Sequence, residues 1–320
     1  MRERTLATVT TSDATPTPAR SDVAVRTSEP PHLHVGPRLR ELWAARQILG
    51  NLVRKEIKVK YKSSVLGAAW SMLNPILYLA VFSLVFTVVL KNNIPHFPVY
   101  LLSGLLAWNL FSTSLGLGAR SVVDNASLVT KVYFPRELLP LASVGTALVD
   151  FVLQGMVLLL FMAVSRSVVL GWNLLLLPVA MFALLVFTCS LNMWVAALNV
   201  RYRDTQHLVN IALLTWFWVT PVVYPSAFVW ARLQPHIAFK LLYLVNPMAD
   251  VVLGFQRALY GHVTPTVQRG GTAVAAPVLA PVSVTWLAML LGAVSIGCIL
   301  LFLLAWRTFF HLSGDFAEEL

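Results

Sequence analysis

Along this 320-residue chain, apolar positions gather into long uncharged runs and do not alternate with polar ones. Six runs stand out, at about 66–90, 99–118, 138–164, 173–198, 208–224 and 282–306. A bilayer's hydrocarbon core is about 30 Å thick, and a helix needs about 20 apolar residues to cross it. Each run is therefore predicted to be a transmembrane helix. Strands of a membrane barrel would show alternation in segments of about ten residues, which is absent here. The predicted fold class is all-α, a polytopic membrane protein with six transmembrane helices.

The segments between the runs carry patterns of their own. In residues 37–64, Leu39, Leu42, Trp43, Leu49, Leu52, Val53 and Ile57 recur at three- and four-residue intervals, which marks one face of a helix. Basic residues fill the remainder, predicting an N-terminal amphipathic interface helix with its apolar side in lipid and its cations among headgroups. Its end, "EIKVKYK", alternates as a strand would, but a lone strand at a membrane surface has no pairing partner, so the helix is preferred. The stretch "SVVDNASLVTKVYFPRELLPLA" begins polar, offers Asp124 or Asn125 as an N-cap, and meets Pro135. It predicts a short cytoplasmic helix within about 121–135. Between Thr220 and Gly261, apolar pieces of ten to thirteen residues are broken by Pro225, Pro235 and Pro247. They are too short to cross and suit a re-entrant outer helix pair at about 226–260. Residues 1–36 are rich in Thr, Pro, Ser and Ala and predict a disordered cytoplasmic tail. No signal-peptide core follows the early arginines. Residues 262–281 read as a low-complexity outer loop.

Composition agrees with the pattern: 58% of residues are hydrophobic and 12% charged, against about 25% charged in soluble domains. The net charge of +10 is uneven, with twelve Lys and Arg against six Asp and Glu in residues 1–62. Cations next to the first span place the N-terminus in the cytoplasm, and six spans return the C-terminal tail, 311–320, to the same side. The membrane domain then covers 65–310 in the cytoplasmic membrane. Arg120, Lys131, Arg136, Arg201 and Arg203 fall on the inner loops, while the short outer loops hold Lys91 and Arg166.

Five cations lie within nine residues of "RKEIKVKYK": Arg54, Lys55, Lys58, Lys60 and Lys62. Pinned to a bilayer by the next span, they cannot wrap a duplex, so no nucleic acid is expected. They either set topology or meet an anionic group at headgroup depth, where each cation contributes on the order of 1 kcal/mol.

Chemistry of other kinds is missing. There is no phosphate-cradling G-x-x-x-x-G-K-[ST], and the motifs H-E-x-x-H, C-x-x-C and G-x-S-x-G do not occur. No catalytic residue, metal site or bound cofactor is expected, and Cys189 and Cys298 read as small buried residues. Asp150 is the one acid inside a run. Twelve residues into its span, it is expected near mid-bilayer, either tying helices together through Gln154 or Asn192 or serving function. The many aromatic residues form interfacial belts or line a passage where sugar C–H faces would stack.

Taken in order, "KEIKVKYKSSVLGAAWSMLNPILY", "LVTKVYFPRELLPLA", "NVRYRDTQHL", "TPVVYP" and "YLVNPMADVVLGFQRAL" resemble one family. It is the membrane subunit of type 2 ABC exporters for polysaccharides, the Wzm-like permeases of O-antigen, teichoic-acid and galactan export. The likeness runs from about Leu42 to Phe310. It implies a homodimeric channel for a lipid-linked polysaccharide, with ATP and Mg bound by two copies of a separate cytoplasmic ABC ATPase. It further implies that Arg54, Lys55, Lys58, Lys60 and Lys62 include the contacts to a polyprenyl pyrophosphate at the channel entrance. Tyr78, Trp108, Phe111, Trp216, Trp218 and Tyr224 would be channel aromatics. Asp124, Val129, Lys131 and Tyr133 would lie on the helix that couples to the ATPase, and 226–260 would form outer gate helices. A polytopic glycosyltransferase acting on polyprenyl-linked sugars and a small-molecule exporter of the same superfamily stay open as alternatives.

Overall fold

A computed structural model describes residues 35–320, apart from 63, 68, 90–93, 167–170, 234–242, 262, 265, 270, 271 and 276. The tail expected over 1–36 lies, up to residue 34, outside the described residues.

The interface segment is helical throughout its alternating end, as α1 (Val35–Ala44) and α2 (Arg46–Tyr61). Next come α3 (Ala69–Ser83), which runs on into a π-helical turn at Leu84–Val89, and α4 (Phe97–Arg120). The polar loop holds a 3-10 turn (Val123–Asn125) and the short helix α5 (Ala126–Lys131). Then follow α6 (Leu138–Val164), α7 (Leu176–Arg201) and α8 (Thr205–Val219). The proline-punctuated region supplies α9 (Ser226–Leu233) and α10 (Pro247–Leu259), and the chain ends in α11 (Val284–Leu312) and α12 (Phe316–Glu319). Where the sequence reads as a plain loop, an antiparallel ribbon pairs β1 (Thr266–Arg269) with β2 (Thr272–Ala275), Val267 opposite Val274.

Among the described residues, five helices are long and apolar enough to cross a membrane: Ala69–Phe86, Phe97–Arg120, Leu138–Val164, Trp172–Arg201 and Val284–Leu312. The remaining predicted run, 208–224, is divided between α8 and a turn at 220–225. The fifteen residues of α8 span about 22 Å at 1.5 Å per residue, less than the hydrocarbon core.

Lipid is as apolar as leucine, so these helices gain little from hydrophobic association and depend on close packing through small residues. Helix α4 shows how. It is buried for most of its length and packs against α6, α7, α8 and α10. At Gly118 it lies so near α7 that a Cβ would come within 2.4 Å of the Asn192 side-chain oxygen. At Gly104 an added Cβ would meet the Val222 carbonyl at 3.3 Å. A second core, containing Leu52, Phe134, Leu138, Met193, Trp306 and Phe309, joins α2 and the inner loop to α6, α7 and α11.

Candidate functional site

The basic helix α2 lies along α6, and its cations separate into two sets. Arg54, Lys58 and Lys62 are exposed. Lys55 and Lys60 are engaged. The Lys55 ammonium donates to the Asn125 side-chain oxygen, and Asn125 in turn donates to the Ser121 carbonyl at 2.8 Å. The helix is thereby tied to the turn preceding α5. The Lys60 ammonium donates to Asp150 Oδ2 at 2.6 Å. The hydroxyls of Ser71 on α3 and Tyr61 on α2 donate to Asp150 Oδ1 at 2.8 and 3.2 Å. One carboxylate thus collects donors from α2 and α3, with 8% of its side chain exposed against 36% for Lys60.

This pairing changes one expectation. Gln154 accepts instead from Asn109 (2.8 Å), and Asn192 donates to Ser114 (2.7 Å), so neither holds Asp150.

At its other end the interface segment is fixed by a buried acid that sequence reading passed over. Arg38 on α1 donates through Nε and Nη2 to both oxygens of Glu137 at 2.8 Å, and Trp306 donates from α11 to Glu137 at 3.4 Å. Burial alone would lower the Arg38 pKa, but the hydrogen bonds and charge of Glu137 outweigh it and raise the pKa above the usual value. Bidentate Arg–carboxylate geometry is the strong form of this contact. Glu137 follows Arg136 on the turn before α6, so nothing in the local pattern marked it as buried.

The residues expected to couple to an ATPase are exposed except for one apolar root. Tyr133 is 94% exposed and Val132 beside it is also exposed. Lys131 is exposed, and Asp124 lies 3.7 Å from Arg120 at the surface. Val129, by contrast, is buried in the second core and holds α5 to the body.

Of the six aromatics expected to line a passage, Trp108 and Phe111 are buried and Trp216 is half-buried, and all three pack on other rings. Phe111 is fully buried, stacks on Phe187 at 5.6 Å and meets Trp216 edge-on at 5.3 Å. Trp108 is also buried and packs edge-on against Phe217 at 5.4 Å. This cluster joins α4, α7 and α8. Tyr78 and Trp218 are exposed, while Tyr224 is half-buried and donates to the Trp218 carbonyl at 3.0 Å.

The motifs "TPVVYP" and "VNP" interlock. Asn246 caps α10 by accepting from the Met248 amide, accepts from Trp216 Nε1 at 2.8 Å, and donates to Thr220 Oγ1 at 3.3 Å. Gln256 on α10 donates to the carbonyls of Pro221 and Val222, Tyr100 on α4 to that of Tyr224 (2.6 Å), and Tyr260 to that of Pro95 (2.7 Å). Backbone carbonyls left bare by the proline-broken turn 220–225 are thus supplied with side-chain donors, as a buried turn requires. Asp250, also on α10, was not singled out from sequence because its segment is too short to be a span. It is buried, and desolvation pushes its carboxyl up to about 8.

Residues 48–260 match the family model described as ABC-2 type transporter. The chain is 40% identical over 227 residues to the O-antigen export system permease protein RfbA of Myxococcus xanthus, covering 71% of this chain and 85% of that one. A protein of the same description from Klebsiella pneumoniae is 29% identical over 208 residues, 64% of this chain and 77% of the relative. The polysialic acid transport protein KpsM of Escherichia coli is 21% identical over 229 residues, 67% and 81% of the two chains. The chain belongs to the ABC-2 type transporter family. It is a multi-pass membrane transport subunit and not an enzyme in its own right.

Proposed function

We propose that this chain is the permease half of an ATP-driven exporter that moves a lipid-linked polysaccharide outward across the cytoplasmic membrane. The observation that carries the reading is the 40% identity to an O-antigen export permease across 85% of that relative's length. Two copies form the channel, and two copies of a separate cytoplasmic ATPase bind ATP and Mg. Helix α8 and the turn after it make the sixth crossing, with α9 and α10 re-entrant at the outer face and both termini cytoplasmic. In this reading 1–36 is a tail, 37–64 the interface segment, 65–310 the membrane domain and 311–320 a cytoplasmic end.

Two features of the geometry support the roles of the parts. Arg54, Lys58 and Lys62, whose charges face outward, collect the carrier's anionic group at headgroup depth, while Lys55 and Lys60 hold the helix in place. Lys131 and Tyr133 project toward the ATPase, with Asp124 on the same inner loop. Replacing Arg54, Lys58 and Lys62 together with Gln is expected to reduce cell-surface glycan and substrate-stimulated ATPase by tenfold or more. Three contacts of about 1 kcal/mol each allow that much. Wild-type export in the triple variant would leave the cluster as a topology signal only. Lys131→Ala with Tyr133→Ala is expected to leave assembly intact but to separate ATP hydrolysis from export, and coupled transport in that variant would remove the assignment.

The topology has its own check. A cysteine in place of Ser127 is expected to resist impermeant thiol reagents in intact cells, whereas one in place of Thr266 reacts. The reverse pattern would rule out six crossings with cytoplasmic termini.

A further inference from the structure

Beneath α2 lies a cleft of about 440 Å³, between the end of α4 and the first turns of α6. Its polar lining includes Glu56 and Lys60 from α2, Thr113 and Arg120 from α4, and Ser143 and Thr146 from α6. Leu52 and Val59, Leu117, and Leu139 and Ala142 supply the apolar part from the same three helices. On α4 the lining positions fall three, four and seven residues apart, and on α2 and α6 they follow the same spacing with one adjacent pair each, so each helix turns one face toward the space. Faces shaped only to pack would carry side chains that fill it, yet the volume lies within the range of small-molecule sites, about 300–1,000 Å³.

The polarity of the lining narrows what fits. The Thr146 hydroxyl donates to the Ala142 carbonyl (3.0 Å), Ser143 to Leu139 (3.5 Å) and Ser121 to Gly118 (2.8 Å). With their protons directed back along their own helices, these hydroxyls have only lone pairs left to offer a ligand. Glu56 and Asp124 add carboxylate oxygens to the same lining. Two cations complete it: Lys60, held by Asp150, and Arg120, which is half-exposed and in loose contact with Asp124 at 3.7 Å. A space rich in acceptors, with a guanidinium at one end, complements a ligand that carries many O–H donors and an anionic group. Sugar hydroxyls joined to a phosphate meet both conditions. A phospholipid headgroup brings the phosphate with fewer donors.

We infer that this cleft binds a sugar–phosphate head, with Arg120 on the phosphate and Glu56, Thr113, Ser143 and Thr146 on the sugar hydroxyls. The inference rests on the export reading only for the source of that head, the sugar proximal to the phosphate of a lipid-linked glycan. It places the head under α2, on the opposite side from the exposed Arg54, Lys58 and Lys62.

Maleimide labelling of Leu117→Cys tests it, in the full-length chain in membrane vesicles with Cys189→Ala and Cys298→Ala. Farnesyl-pyrophosphoryl-N-acetylglucosamine at about ten times its Kd is expected to slow labelling about tenfold by occupancy. Farnesyl pyrophosphate at the same concentration is expected to protect far less. Protection by glucose 1-phosphate alone would keep the sugar–phosphate site but assign it to a soluble ligand. Arg120→Gln and, separately, Glu56→Gln are expected to abolish protection while leaving labelling without ligand unchanged. Labelling indifferent to every probe would overturn the inference, as would equal protection by farnesyl pyrophosphate or by added phosphatidylethanolamine. Protection in a chain whose deletion leaves surface glycan unchanged would sink the export reading and spare the cleft. Export with an unprotected cleft would do the opposite.

Discussion

Replacing Lys60 with Met is expected to destabilise the protein by about 2–3 kcal/mol, read as a lowered unfolding midpoint in detergent. Removing one partner of a buried ion pair costs about 3–5 kcal/mol because the other charge is left uncompensated. Lys60 is about one-third exposed, so solvent screening places the figure at or below the bottom of that range. The Asp150 carboxylate would keep its bonds from Ser71 and Tyr61 but lose its counter-charge. Asp150→Leu is expected to be comparably costly, since Lys60, Ser71 and Tyr61 all lose their acceptor. The decisive measurement is the double variant, Lys60→Met with Asp150→Leu, which is expected to be more stable than either single change. A double variant whose loss is the sum of the two singles would mean that the charges do not interact.

Gly118→Ala is the second large effect, expected to cost about 2–3 kcal/mol through overpacking of a closed interface. The new methyl would lie 2.4 Å from Asn192 Oδ1 and 2.6 Å from its Cγ. Asn192 is fully buried, and its amide donates to Ser114 at 2.7 Å, so retreat would break a bond that nothing nearby replaces. Gly→Ala in an exposed helix would do the reverse and stabilise by a few tenths of a kcal/mol to about 1 kcal/mol. Destabilisation here would therefore mark the α4–α7 contact and not helix propensity. Adding Asn192→Ala should recover much of the loss by opening room for the methyl. Gly118→Ala with a wild-type midpoint would show that α4 and α7 can separate at no cost.

The helices were legible in sequence because uncharged runs near bilayer length have few other uses. The interface segment was legible for a related reason: its three- and four-residue apolar spacing survived among its charged and polar neighbours. The short α5 was announced by its polar start and proline stop. What sequence could not supply was pairing across distance. Lys60 and Asp150 are ninety residues apart and Arg38 and Glu137 ninety-nine, so no local period joins them. The basic cluster looked uniform because spacing along a helix tells which residues share a face, not which face meets a neighbour. The mutual packing of Trp108, Phe111 and Trp216 was hidden for a similar reason. An aromatic suits a sugar ring and a helix interface equally well, and only burial separates the two uses. The cleft under α2 was invisible, since Thr113, Ser143 and Thr146 are unremarkable singly and acquire meaning when three stripes converge.

The interlock of α10 with the turn 220–225 has a mechanical consequence. Asn246 and Gln256 grip the turn from α10, Tyr100 grips it from α4, and Tyr260 reaches back to Pro95 ahead of α4. Swinging α10 alone would strip donors from several buried carbonyls at once, at about 1–3 kcal/mol for each group left unsatisfied. These segments therefore travel together, and any widening at this end proceeds by sliding whole blocks past one another, in the manner of shear rather than of a hinge.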